Sequence, residues 1–197
     1  MHAATYDALL FDFDGVLADT ERVHFSCWAE TLAPFGVAIE WPWYRDNCVG
    51  MADPVLAPRF GVGDPPGLVA AKQRRFRDAL EQSPPFLDGT VAFVRELAAS
   101  YRMAVVSSSF RAEIEPPLVR ANLAGCFVKI LCGDDVARLK PAPDPYLKAA
   151  ELLGARNPLV IEDSDAGVAS ARAAGFDFVR VAGPEEMETV VRRYLAR

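Results

Sequence analysis

Five short apolar runs punctuate the chain, and each breaks abruptly into polar residues. Ala8-Leu9-Leu10-Phe11 is the first, bounded at once by Asp12-Phe13-Asp14-Gly15. Met103-Ala104-Val105-Val106, Val128-Lys129-Ile130-Leu131, Leu159-Val160-Ile161 and Phe178-Val179-Arg180-Val181 follow. Runs this short, bounded by turn and polar residues, read as buried strands. Between them the spacing predicts helices around residues 90–99, up to about Asn122, over about 143–153 and over about 166–174, with one more closing the chain. Strands alternating with helices of this length predict crossover connections and a parallel sheet. The expected class is therefore α/β, with helices on both faces of the sheet.

Residues 20 to 85 have a different texture. Phe25, Trp28, Leu32 and Phe35 recur at helical spacing and are expected to share one face, with Gly36 as the stop. From residue 40 to 66 prolines and glycines (Pro42, Gly50, Pro54, Pro58, Gly61, Pro65) leave room only for short helices. Leu68, Lys72, Phe76 and Leu80 then restore a helical period before Ser83-Pro84-Pro85. An all-helical block between two strand regions reads as an inserted domain over 20–85, with the core formed by 1–19 and 86–197.

Composition narrows the function classes. The chain has 197 residues, a formal net charge of −6 and 51% hydrophobic residues, the mix of an ordinary globular protein. Lys and Arg are scattered apart from Lys72 to Arg77, which argues against nucleic acid as a partner. Cys27, Cys48, Cys126 and Cys132 form no CxxC pair and have no neighbouring histidine to complete a zinc site, so reduced thiols are expected. No apolar run approaches the ~20 residues that cross a bilayer. The segment Met1 to Asp7 lacks the basic and apolar regions of a signal peptide. A cytoplasmic monomer or weak homodimer is the expectation.

In an open parallel sheet, ligands bind beyond the carboxyl ends of the strands. Asp12 and Asp14 follow the first run, Ser107, Ser108 and Ser109 the second, and Glu162, Asp163 and Asp165 the fourth. Lys140-Pro141 precedes the helix between the third and fourth strands. Crowded carboxylates repel unless a cation joins them, and hard oxygen ligands in an open site suit Mg²⁺. Magnesium holds phosphate oxygens, serine hydroxyls and helix-start N–H groups bind others, and a lysine offsets charge on a transferring group. Each feature alone has an ordinary explanation: a turn, an N-cap, a solvated lysine. No capping requirement demands their joint placement at successive strand ends.

These residues form four motifs. They are Phe11-Asp12-Phe13-Asp14-Gly15-Val16-Leu17-Ala18-Asp19-Thr20, Val105-Val106-Ser107-Ser108-Ser109, Leu139-Lys140-Pro141-Ala142-Pro143-Asp144, and Val160-Ile161-Glu162-Asp163-Ser164-Asp165-Ala166-Gly167. Their order and content resemble the haloacid dehalogenase superfamily, nearest its β-phosphoglucomutase-like branch of phosphatases and mutases. The resemblance implies a Rossmann-like core with a helical cap, and a Mg²⁺-dependent enzyme acting on a small phosphorylated metabolite. It implies Asp12 as a nucleophile that becomes an aspartyl-phosphate, and Asp14 as the acid and base. Asp12, the Asp14 carbonyl and Asp163 would hold the metal, with Glu162 in or next to that shell. Ser107 and Lys140 would bind phosphate, with Ser108 beside them. An aspartate at position 14 points away from dehalogenation.

Phosphatase and sugar phosphomutase differ in the cap. His24, Thr20 and Lys72 match positions of the mutase, so His24 and Lys72 are expected near substrate. Val49 and Asp53 stand around Gly50 where the mutase carries basic residues. A missing arginine removes a contact of roughly 1.5–3 kcal/mol to a second phosphate, and an aspartate there is expected to repel it. The reading favours a phosphatase, with the mutase as the alternative.

Overall fold

The computed structural model describes residues 6–196; the leader reading from Met1 therefore falls mostly outside the described residues. Five strands form one all-parallel sheet in the order β3-β2-β1-β4-β5. They are β1 (Ala8–Phe11), β2 (Arg102–Val106), β3 (Lys129–Leu131), β4 (Pro158–Glu162) and β5 (Asp177–Arg180). The register aligns Phe11 with Val105 on one side and with Ile161 on the other. β1 is thus central, and the chain departs from it in both directions, which opens a crevice at its carboxyl end.

Successive side chains of a strand point to opposite faces, and both faces here are covered. Leu9, Phe11, Met103, Val105, Leu159 and Ile161 pack with α5 (Asp88–Ala98), α6 (Arg111–Arg120) and α9 (Pro184–Leu195). Ala8, Leu10, Ala104, Val106 and Val160 pack with α7 (Asp144–Leu153) and α8 (Asp165–Ala174). Double burial explains why the strands read as continuous apolar runs rather than alternating ones. Each fully buried Leu or Phe contributes about 1.5–3 kcal/mol of transfer free energy.

Between β1 and α5 the chain is helical: α1 (Glu21–Leu32), α2 (Trp41–Asn47), α3 (Asp53–Leu56) and α4 (Pro65–Gln82). Prolines open α2, α3 and α4, where the missing N–H is harmless. The block has apolar centres of its own, one around Trp28, Leu32, Tyr44, Leu56 and Leu68, the other around Cys27, Phe76 and Leu80. One expectation fails here. Phe35 does not share the face of Trp28 and Leu32 but is 57% exposed, because the chain tightens to a 3₁₀ turn over Ala33–Phe35 and the 3.6-residue period is lost. The cysteines are free thiols, three of them buried. Among the described residues no helix is long and apolar enough to cross a membrane.

Candidate active site

The backbone of Asp12 extends the sheet by one bond, its N–H donating to Ile161 O at 2.9 Å. The chain then folds back on itself, with Leu17 and Ala18 N–H groups donating to Phe13 O at 3.0 Å. Gly15 makes that turn at φ +72°, and a Cβ there would collide with the Asp163 carboxylate. Only glycine lets the turn sit against Asp163.

Lys140 enters from the loop before α7. Its Nζ donates to Asp12 Oδ1 at 2.9 Å and to Glu162 Oε1 at 2.6 Å. Burial opposes its charge, but Asp12 and Glu162 outweigh burial and hold its pKa above the usual lysine range. Glu162 is fully buried and surrounded by donors: Lys140, Tyr146 OH at 2.7 Å, the backbone N–H groups of Asp163 and Ser164, and Ser164 Oγ. Despite burial they keep its pKa below the ordinary value.

Asp12, Glu162 and Asp163 bring one carboxylate oxygen each within 4.8 Å of one another. Burial and Glu162 push the Asp12 pKa up to about 8, against Lys140. Burial, then Asp12 and Glu162, push that of Asp163 up to about 9. Lys140 alone does not offset the crowding of these acids. The donor set is hard oxygen alone, which fits Mg²⁺.

Asp14 is in the opposite state. Thr20 Oγ1 donates to Oδ1 at 2.6 Å, His24 Nε2 lies 3.0 Å from the same oxygen, and Ser109 Oγ donates to Oδ2 at 2.8 Å. Ser107 Oγ stands 3.5 Å from Oδ2 and accepts the Ser109 N–H at 3.0 Å. Burial raises the Asp14 pKa, but His24, Thr20 and Ser109 outweigh it and leave the group well below the carboxylate range. Burial and Lys72 disfavour a charged His24, but Asp14 and Glu21 outweigh them and hold its pKa above the ordinary value. The Lys72 Nζ contact with Nδ1, at 2.7 Å, decides the tautomer. An ammonium has only protons to give, so Nδ1 accepts and Nε2–H points at Asp14.

Lys72 takes a different place from the one expected of a substrate contact. It is completely buried, does not line the pocket, and donates to Asp53 Oδ2 at 2.8 Å and Glu113 Oε1 at 3.4 Å as well as to His24. Asp53 is not a free repelling charge either, since Trp28 Nε1 also donates to it at 3.2 Å. The spacing that puts Lys72 among Leu68, Phe76 and Leu80 carries it inward, and two acids compensate it there.

Asp12, Asp14, His24, Ser107, Ser108, Lys140 and Asp163 line one pocket between the sheet edge and the helical block. Its free volume is about 50 Å³, several times the ~10–15 Å³ a single water occupies by the same measure. Ser108 Oγ is buried with no hydrogen-bond partner among the described residues, on a residue that lines this pocket. Gly50, at φ +77°, closes the far wall; a Cβ there would lie 2.7 Å from Ser164 Cβ. Strand-end reasoning from the sequence assigns no role here to Ser109, Tyr146, Glu113, Glu21 or Tyr44. Ser109 is within its reach as the third hydroxyl of its cluster; the others arrive on helices whose packing no strand-end rule describes.

Fold and site together define an α/β protein with a carboxylate-rich pocket at the carboxyl end of its central strand. The family model "Haloacid dehalogenase-like hydrolase" matches residues 9–181. Protein CbbY of Rhodobacter capsulatus is 34% identical over 87% of this chain and 83% of its own length. Fructose-1-phosphate phosphatase YqaB of Escherichia coli K12 is 32% identical over 89% of this chain and 96% of its own. A CbbY variant from Rhodobacter sphaeroides, solved with xylulose-(1,5)bisphosphate, superposes with a TM-score of 0.80 at 27% identity, covering 90% of this chain and 87% of that one. The chain belongs to the haloacid dehalogenase-like hydrolases.

Proposed function

We propose that this protein is a magnesium-dependent phosphatase of small phosphorylated metabolites, working through an aspartyl-phosphate on Asp12. The observation that carries this reading is the contrast between two carboxylates two positions apart. Asp12 faces Lys140 and the acid cluster, whereas Asp14 is clamped by hydroxyl and imidazole donors. The two environments divide the work: Asp14 is held by donors for proton transfer, and Asp12, whose pKa burial and Glu162 raise, needs added positive charge beside it before it can attack as the carboxylate.

In the first half-reaction an Asp12 oxygen attacks phosphorus, the ester P–O bond breaks, and Asp14 gives its proton to the departing alcohol. In the second, water attacks the phosphoaspartate, gives a proton to Asp14, and frees Asp12. With its donors in place Asp14 is ionised and is the base of the second step. To act as the acid it must be released by Thr20 and His24, which stand at the start of the inserted helices, so movement of that block would gate the proton. Lys140 orients Asp12 and offsets phosphate charge, while Ser107 and Ser108 supply hydroxyls to phosphate oxygens. Magnesium would be held by Asp12, Asp163 and the Asp14 carbonyl, and it supplies the positive charge that draws phosphate oxygens together. Glu162, with its oxygens engaged, stands beside that shell and positions Lys140.

The mutase alternative needs cations to grip a second phosphate. The repulsion expected from Asp53 is set aside by its pairing with Lys72, yet Lys140 is the only Lys or Arg lining the pocket among the described residues. That favours hydrolysis. Incubation with β-glucose 1-phosphate and a trace of the 1,6-bisphosphate tests the choice: free phosphate should accumulate faster than glucose 6-phosphate. The two core segments, 1–19 and 86–197, act in this reading as the catalytic domain and 20–85 as its cap.

A further inference from the structure

Lys72 is one cation facing two buried acids, and charge balance needs only one of them. Its three ammonium protons go to His24 Nδ1 at 2.7 Å, Asp53 Oδ2 at 2.8 Å and Glu113 Oε1 at 3.4 Å. Asp53 lies on α3, accepts from Trp28 Nε1 as well, and neutralises the lysine from within the helical block. Glu113 is the acid in excess. It is 1% exposed, and burial outweighs Lys72 and raises its pKa. Burying a further carboxylate weakens a fold, so its presence asks for another reason than stability.

Of the three partners only Glu113 comes from outside the block, in the first turn of α6. Its other oxygen, Oε2, accepts the Phe110 N–H at 3.2 Å, which fixes it to the backbone directly after Ser107-Ser108-Ser109. α4 and α6 meet again about two turns further on, where Arg120 donates to Leu80 O at 3.2 Å. A chain of hydrogen bonds thus leaves α6 at Glu113, crosses the block through Lys72 and His24, and ends on Asp14. Resting on the phosphatase reading, we propose that Glu113 is a positioning residue: it anchors Lys72 so that His24 stays on Asp14 while the block is seated on α6. That arrangement serves the second half-reaction, in which Asp14 takes a proton from the water attacking the phosphoaspartate. Without the anchor Lys72 keeps Asp53, but the imidazole is no longer held in register with Asp14.

The test is Glu113→Gln, which keeps the volume but offers one acceptor oxygen to two donors, Phe110 N–H and Lys72 Nζ. Because Lys72 retains Asp53, the midpoint of urea unfolding should be unchanged or higher. With p-nitrophenyl phosphate and Mg²⁺, kcat should fall about tenfold with a parallel fall in KM, so that kcat/KM holds. A burst of nitrophenol should precede the steady state as the aspartyl-phosphate accumulates. In a His24→Ala background the same substitution should change kcat by less than about twofold, since both act through one hydrogen bond. Glu113→Asp, shorter by one methylene, should show the same kinetics and serves as the second variant if Glu113→Gln fails to fold. An unchanged kcat in both variants would overturn the proposal. So would a fall in kcat/KM together with a lower urea midpoint, the mark of a merely structural ion pair, or an undiminished loss in the His24→Ala background. A wild type that hydrolyses no phosphate ester would overturn the phosphatase reading, and this inference with it.

Discussion

His24 stands between Asp14 and Lys72, its Nε2 3.0 Å from Asp14 Oδ1 and its Nδ1 2.7 Å from Lys72 Nζ. The imidazole is therefore fixed at both nitrogens, and its Nε2–H is aimed at the proposed acid–base group. Removing the ring leaves Asp14 with fewer donors and leaves Lys72 without one of its acceptors. His24→Ala should lower kcat about 10- to 100-fold, the range of a hydrogen bond to a charged group worth ~1.5–3 kcal/mol. Mg²⁺ affinity, measured by calorimetry, should change far less. An equal loss of metal binding would show that His24 acts through the carboxylate cluster instead.

Lys72 makes a prediction about stability. It is buried with Asp53 and Glu113, so Lys72→Ala strands two acids in a desolvated site. The expected cost is about 3–5 kcal/mol, as for other broken buried pairs. Urea unfolding followed by far-ultraviolet circular dichroism measures it directly. A loss below ~1 kcal/mol would mean that water reaches this cluster.

Metal binding should depend on pH in a direct way. Without metal, Asp12 and Asp163 have pKa values pushed up to about 8 and about 9. Below those values they retain protons that Mg²⁺ must displace, and above them they are free to bind. Apparent Mg²⁺ affinity should therefore rise with pH, up to about tenfold per unit for each proton displaced. Calorimetry in buffers of different ionisation enthalpy should detect the released protons, and excess EDTA should abolish hydrolysis. Affinity constant from pH 6 to 9, or full activity after metal removal, would contradict the carboxylate cluster as the metal site.

Gly15 offers a backbone test. Its φ of +72° disfavours any side chain, and a methyl group at this position would run into Asp163 Oδ2. Gly15→Ala should cost about 1–3 kcal/mol in strain and weaken Mg²⁺ binding by displacing Asp163. Unaltered metal affinity would show that the turn and Asp163 move independently.

The sheet was legible because its strands are buried on both faces. Leu9 and Leu10 point in opposite directions yet are equally apolar, so the run stands out from the polar residues that follow it. The same boundary exposed Asp12, Asp14, Ser107, Glu162 and Asp163, and the structure gathers them at one sheet edge with Lys140. Lys72 was harder. Its period with Leu68, Phe76 and Leu80 puts it on the buried face, but its match to a mutase position implies a substrate contact, and its acids come from α3 and α6, far away in sequence. Tyr146, which fixes Glu162, and Glu113, which meets Lys72, likewise reach their partners only through helix packing. Phe35 misled for a local reason, the change from α to 3₁₀ period.

The central claim is that Asp12 takes the phosphoryl group before water does, and the stereochemical course at phosphorus tests it most directly. A phosphorothioate ester made chiral at phosphorus with two oxygen isotopes is hydrolysed by the Mg²⁺-loaded enzyme in water carrying the third, and the configuration of the thiophosphate product is read by phosphorus nuclear magnetic resonance. Two successive in-line displacements, first by Asp12 and then by water, predict overall retention. Asp12→Asn should abolish the reaction that is being followed. Inversion in the wild-type product would mean that water attacks the ester in a single step, and the aspartyl-phosphate account of this site would be wrong.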